Sequence, residues 1–365
     1  HPNGQASRAQ CRVAAGSACF PVVRLVADAP ALPVSRATAD GARRLAIASW
    51  LLGALLLVAV VVVGLHLGEI NQVVALLGGL RVPWLLAALA LQAATYACAA
   101  AVWQRVLTRA GQRQTVAGLM PLSLAKLFTD QAMPSGGLSG NILFVHAMRR
   151  RGVPAAPAMA ALAVSMISHY LANLPLALLV GIELARRGLL HPALTALLGV
   201  YAAFAMLIAS AVWAVATGHG LPRWLPARRF PRAAHLLDAL ARTTPGMLRW
   251  RVMLPTAALQ AGVVLCDAAT LCVMLWALGQ TAAPGLVLAA FLSASMVMEM
   301  GPIPLGLGSF EATCVSVLGL AGVPVAAALP ATLLLRGFTL WLPMLPGLWL
   351  TRRELRGVPA EPEEA

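Results

Sequence analysis

The sequence is short of charge. Only 11% of its 365 residues are Asp, Glu, Lys or Arg, where a soluble domain carries about 25%. That excludes an ordinary soluble enzyme, and 60% hydrophobic residues exclude a disordered chain. Lysine is nearly missing: Lys126 is the single one. The Gly-x-x-x-x-Gly-Lys-Ser/Thr phosphate loop of nucleotide-driven pumps is therefore absent. Cysteine is sparse as well. Cys98, Cys266, Cys272 and Cys314 lie in apolar runs as small fillers, and Cys11 and Cys19 fall in a polar tail. No Cys spacing, His-x-x-x-His or paired Asp motif suggests a metal site or disulfide framework, so no cofactor is expected.

Base outnumbers acid, 27 Lys+Arg to 13 Asp+Glu, for a net charge of +14. Such a charge can mark nucleic-acid binding. Here the arginines sit in short clusters between long apolar runs, the arrangement of a polytopic membrane protein, and no nucleic-acid partner is expected. Six runs are long enough to cross a bilayer, which takes about 20 residues: 45–67, 82–108, 155–182, 192–217, 252–278 and 325–350. Two further stretches, 115–150 and 284–321, are interrupted by Met133-Pro134-Ser135-Gly136-Gly137 and Gly301-Pro302-Ile303-Pro304-Leu305-Gly306. No helix runs straight through such a break, so each stretch reads as two short limbs that return to the side they entered. The fold class is all-α: about six spans plus two re-entrant broken-helix hairpins.

Charge sets the expected orientation. With both termini in the cytoplasm, 22 basic residues face that side, including Arg149-Arg150-Arg151 and Arg352-Arg353. Arg81, Arg186 and Arg187 face outward, and Lys126 and Arg336 stay in the membrane. Around the integral domain, 43–356, lie an unstructured cytoplasmic tail at 1–42, which opens on His1, and an acidic tail at 357–365. The basic cytoplasmic loop 218–251 suits anionic inner-leaflet lipid, and Glu69 to Leu80 reads as a short interfacial helix.

The broken stretches match each other at an offset of 170. Pro134 pairs with Pro304, Gly136 with Gly306, Ser139 with Ser309, and Gly152-Val153-Pro154 with Gly322-Val323-Pro324. Leu91-Gln92-Ala93 recurs as Leu259-Gln260-Ala261 with a slip of two. The repeat unit is span, broken hairpin, span: repeat A at 82–182 and repeat B at 252–350. The charge pattern puts the first Gly-Val-Pro inside and the second outside, so the copies form an inverted repeat, a mark of transporters.

Ionisable groups within apolar segments cost at least about 2.5–3.5 kcal/mol and point to function. Lys126 and Asp130 are spaced i, i+4, either neutralising each other or serving a site. Glu299 ends the first limb of the second hairpin. Glu311 lies in the first turn of the next limb, where an acid caps its own helix. Arg336 is too deep to snorkel and needs Glu311 or Glu299 as partner. His169, i, i+4 from Asn173, is either a core histidine or a proton carrier. Asp267 is alone in its span, and Met296, Met298 and Met300 read as packing. Limb N-termini near the breaks favour an anion such as a lipid phosphate. The expected substrate-binding set is Lys126, Asp130, Ser135, Gly136, Gly137, Ser139, Asn141, His169, Asp267, Glu299, Gly306, Gly308, Ser309, Glu311 and Arg336.

Pro134-Ser-Gly-Gly-Leu-Ser-Gly-Asn with Arg149-Arg-Arg-Gly-Val-Pro, and Ile303-Pro-Leu-Gly-Leu-Gly-Ser-Phe-Glu311 with Arg336, resemble the membrane domain of the lysylphosphatidylglycerol synthase, or flippase-like, family over roughly 45–355. The resemblance implies a bacterial inner-membrane protein that handles or translocates a lipid headgroup, with Glu311 and Arg336 at the family's acid and base positions. The chain departs from it at Asn141, where the family often has an acid, and near Phe144 to His146, where it often has a base. Ten residues follow Leu355 in place of the large soluble transferase domain, so aminoacyl transfer is not expected of this chain alone. Three readings follow: a flippase for an anionic lipid or lipid-linked headgroup, a membrane enzyme acting on a lipid or polyprenyl phosphate, and a scaffold for a lipid-synthesis partner. Acids converging beside a cavity favour the enzyme, and a dry packed centre favours the scaffold.

Overall fold

Helices form wherever apolar runs leave the backbone no other partner than itself. The computed structural model describes residues 82–132, 138–216, 249–301 and 303–355. The expected span at 45–67, both tails, the 69–80 segment, residues 218–248 of the basic loop and the Ser135-Gly136-Gly137 break lie outside them. Ten α-helices and no strand occur among the described residues. They are α1 Val82–Arg109, α2 Val116–Ala132, α3 Leu138–Arg150, α4 Ala155–Arg186 and α5 Pro192–Ala216. After them come α6 Trp250–Ala277, α7 Pro284–Met300, α8 Ser309–Leu320, α9 Val325–Arg336 and α10 Leu342–Leu355.

Five elements are long and apolar enough to cross a bilayer: α1, α4, α5, α6 and the rod formed by α9 and α10, Val325–Glu354. These are the five expected spans that fall within the described residues. The 17 residues of α7 and 12 of α8 reach about 26 and 18 Å at 1.5 Å per residue, short of an ~30 Å hydrocarbon core. The chain is a multi-pass, all-α membrane protein. Side chains such as Leu178, Leu179, Val200 and Met206 point outward, as lipid-facing positions do.

The two parts of the chain are built alike. The helices before the breaks, α1 and α6, have 28 residues each, and the limbs α2 and α7 have 17 each. In both, the first helix packs on the first limb, that limb on the second, the second on the closing helix, and the closing helix back on the first. The two Gly-Val-Pro turns explain themselves. Gly152 and Gly322 take φ 77° and 83°, the left-handed conformation that ends a helix. Val153 and Val323 then donate their N–H to the carbonyls of Met148 and Leu318, 3.0 Å each, and bury their side chains. Pro154 and Pro324, with ψ 152° and 142°, start the next helix, where a missing N–H costs nothing.

Contacts fix which end of the bundle each limb starts from. Trp84 at the start of α1 meets Trp276 at the end of α6, centroids 5.4 Å apart. At the other end of that antiparallel pair, Arg151 donates to the Gly118 carbonyl (3.0 Å) and pairs with Glu354 (2.8 Å). The start of α2, the end of α3 and the end of α10 therefore share one arginine-rich end. The start of α7 lies at the opposite end, where Gly285 abuts the Glu183 side chain near the end of α4. Since α10 finishes at the arginine-rich end, α8 hands over to α9 at the opposite one. Each hairpin returns to the end it left, and the two use different ends.

Candidate functional site: the two helix breaks

The second break is held from inside by one arginine. After Met300 the backbone extends at Gly301 (φ −74°, ψ 148°) and turns through Pro304–Gly306. Leu305, at φ 63°, is the single non-glycine with positive φ among the described residues. Its carbonyl accepts a hydrogen bond from Arg336 Nη2, which accounts for a conformation that is otherwise disfavoured. Arg336 Nε donates to Glu311 Oε1 at 2.9 Å, its Cζ stacks 4.9 Å above the Phe310 ring, and Nη1 faces Met298 Sδ at 3.8 Å. The other Glu311 oxygen accepts the Gly308 N–H at 2.7 Å and caps α8. Of the two partners open to Arg336 in the sequence, the fold selects Glu311. Both ends of this pair are buried, 6% and 1% exposed. Ser309 Oγ donates back to the Gly306 carbonyl at 3.1 Å.

The first break is clasped by a carboxylate from the other limb. Asp130 Oδ2 takes Lys126 Nζ at 2.6 Å, and Oδ1 takes the Gly140 N–H at 2.8 Å. Ser139 Oγ donates to the Thr129 carbonyl at 3.0 Å. Asn141 follows, half-buried in the first turn of α3. A Cβ on Gly140 would lie 2.3 Å from Asp130 Oδ1. Gly140→Ala is therefore expected to displace that carboxylate and cost about 1–3 kcal/mol, as an overpacked site does. Thermal unfolding in micelles, with Gly319→Ala as the uncrowded control, checks it.

Glu299 turns away from Arg336 into a separate network. His169 Nε2 lies 3.1 Å from Glu299 Oε1, and Tyr201 Oη donates to Oε2 at 3.1 Å. Asn173 Nδ2 lies 2.9 Å from His169 Nε2 and 3.0 Å from Tyr201 Oη. Three helices, α4, α5 and α7, supply these groups. The side chains of His169 and Glu299 remain 32% and 24% exposed, unlike the closed Arg336–Glu311 pair.

The decisive comparison is with protein families: the model of the lysylphosphatidylglycerol synthase TM region matches residues 45–347. The chain belongs to that family. No curated protein matches it. As a lysylphosphatidylglycerol synthase TM-region protein, it is a membrane protein related to lipid modification or translocation.

In this family member Asp267 is not solitary. Gln92 Nε2 and Thr95 Oγ1, both from α1, lie 3.0 Å from its Oδ1, and Gln92 also reaches Thr270 at 3.1 Å. Replacing Asp267 with leucine leaves Gln92 and Thr95 without this acceptor, at an expected ~1–3 kcal/mol. Asp267→Asn, which keeps an acceptor, loses less, and denaturant titration of both variants checks the order. The four carboxylates Asp130, Asp267, Glu299 and Glu311 thus have four separate sets of partners and do not gather on one spot. Among the described residues no three His, Cys, Asp or Glu side chains cluster as a metal site. Sequence reasoning gave no site role to Tyr201, Gln92, Thr95, Phe310 or Gly140. Tyr201 was signalled only by being one of three tyrosines and lying in an apolar span.

Proposed function

We propose that this chain binds an anionic lipid or lipid-linked headgroup and translocates it between the leaflets of a bacterial inner membrane, with both termini cytoplasmic. Residues 82–182 and 252–350 act as the two copies of an inverted repeat, and rocking of one against the other opens the breaks to alternate sides. The observation that supports this most is that two hairpins too short to span begin from opposite ends of the bundle and carry charged groups at their breaks. A further correspondence supports the repeat. Leu174-Pro175 in α4 matches Leu345-Pro346 in α10 at an offset of 171, one more than at Gly-Val-Pro. The extra residue is accounted for by a π-helical turn, Gly337–Trp341, between α9 and α10.

The residues divide by what they leave open. Arg336 and Glu311 brace the second break and do not face the headgroup. Lys126 and Asp130 are each about one-fifth exposed, and Asp130 occupies the Gly140 N–H at a limb N-terminus, a place that suits a phosphate. The headgroup phosphate displaces the Asp130 carboxylate and takes over both Lys126 and that N–H.

The test is a reconstituted vesicle assay with headgroup-labelled phosphatidylglycerol, reading label exposed to an impermeant quencher over time. Wild type is expected to move label, Lys126→Ala to lose most of the rate, and Asp130→Asn to lower the lipid concentration giving half-maximal rate. Equal exposure with and without protein, across several anionic lipids, rejects the reading.

A further inference from the structure

The network around Glu299 has a consequence for what drives transport. A carboxylate oxygen and an imidazole nitrogen 3.1 Å apart repel each other unless a proton lies between them. Either an imidazolium donates Nε2–H to an ionised Glu299, or a protonated Glu299 donates to Nε2 of an imidazole whose proton is on Nδ1, and both states are neutral overall. A neutral imidazole with its single proton on Nε2 makes the same contact with an ionised Glu299 and leaves the pair with one negative charge inside an apolar bundle. The two charge states differ by one proton. His169 is 14 residues from the start of α4 and 17 from its end, close to the middle of a spanning helix.

Among the described residues the surroundings offer that charge no second cation. From α4 the pair is faced by Asn173 and Tyr170, whose ring lies edge-on to His169 at 5.3 Å, and from α5 by Tyr201. Glu311 and Arg336, from α8 and α9, are closed on each other beyond Met298. Asp267, on α6, is engaged with α1. Lys126 is paired with Asp130. Tyr201 and Asn173 hold the two groups in line but supply hydrogen bonds, not positive charge.

We propose that Glu299 and His169 form a one-proton site, and that this proton travels with the anionic headgroup and couples its movement to a proton gradient. The inference rests on the translocation reading given above. Its balance is simple. A proton arrives from water on one side and neutralises the pair. The neutral pair admits the headgroup phosphate, the repeats rock, and the proton leaves to water on the other side. The negative pair then repels the phosphate outward. No bond other than the two to the proton is made or broken. Proton and singly charged phosphate move together without net charge. A pH difference of one unit therefore supports about a tenfold ratio of label between leaflets at one proton per lipid.

The experiment uses the full chain in vesicles with headgroup-labelled phosphatidylglycerol, a pH dye inside and an imposed pH difference. Expected is label accumulating in the leaflet on the alkaline side, with matching proton uptake into the alkaline compartment. In Glu299→Gln the label equilibrates without accumulating and the proton flux is lost. His169→Gln behaves similarly. Infrared difference spectra of the protein in micelles, recorded across a pH step, provide the second readout: a carboxyl–imidazole protonation signal present in wild type and lost in Glu299→Gln. Lipid moving equally under either gradient, with no proton flux, overturns the coupling and leaves translocation standing. No lipid movement by folded wild type overturns both. Absence of the infrared signal overturns the proton site whatever the transport result.

Discussion

Arg336→Met is expected to lower folding stability by about 3–5 kcal/mol, the cost of leaving one member of a buried ion pair alone. The lost guanidinium serves four neighbours at once: the Glu311 carboxylate, the Leu305 carbonyl, the Phe310 ring and Met298. Removing it strands the Glu311 charge at 1% exposure and releases the carbonyl that keeps Leu305 at φ 63°. Glu311→Gln alone keeps an acceptor for the Gly308 N–H but leaves Arg336 with less to hold. The double variant removes both charges, retains the cap and recovers much of the loss. Unfolding of the four proteins in denaturing micelles gives the coupling energy directly. A single-variant loss below about 1 kcal/mol would place this pair with ordinary surface ion pairs and remove the brace from the account. Translocation should fail in Arg336→Met at temperatures where the protein is still folded, because the second break then loses its fixed shape.

Gly306→Ala should have the next largest effect, for two independent reasons. Gly306 sits at φ 60°, where an L side chain costs about 1–2 kcal/mol. Its Cβ would fall 2.4 Å from Met298 Cγ, 2.8 Å from Met298 Cβ and 3.3 Å from Met298 Cα, so rotating that side chain does not relieve it. Overpacking adds about 1–3 kcal/mol. Met298 is flanked on one side by Arg336 and is followed in the chain by Glu299, so the push reaches both networks. The expected result is a lower midpoint of thermal unfolding together with a lower rate of label movement. Gly319→Ala, with nothing within 4 Å of its new methyl group, should change neither. Equal behaviour of the two variants would show that the turn tolerates a side chain and that the tight packing against Met298 does not matter.

Much of this was readable from residue order because length and apolarity are local properties. The spans expected at 82–108, 155–182, 192–217, 252–278 and 325–350 correspond to elements that differ by a few residues at their ends. Pro and Gly located the breaks because their backbone effects are local too. The identity of ion partners was not local. Glu299 and Glu311 are 12 residues apart, and both seemed available to Arg336. Only the turn through Leu305 puts Glu311 on the arginine's side and sends Glu299 toward His169 and Tyr201. Asp267 shows the same limit. Its partners Gln92 and Thr95 lie 175 and 172 residues away, and in the sequence Gln92 stands out only as part of a recurring tripeptide. Sequence also left open whether Lys126 and Asp130 serve each other or a ligand. The structure adds the Gly140 N–H to that pair, a donor that a phosphate displacing Asp130 would take over.

The π-helical turn at Gly337–Trp341 closes with Leu342 N–H bonded to the Gly337 carbonyl, five residues back. An added residue rotates everything after it by roughly 100° about the axis, given 3.6 residues per turn. Upstream, the rod aims Arg336 at α8. Downstream, it presses Gly347 onto Leu124 and Phe128 of α2, and Thr351 donates to the Ala125 carbonyl at 3.2 Å. A uniform α-helix of the same sequence could be phased for one of these seats but not for both. The bulge is thus a phase adjuster: it lets a single rod bolt itself to the second hairpin with one face and to the first with another.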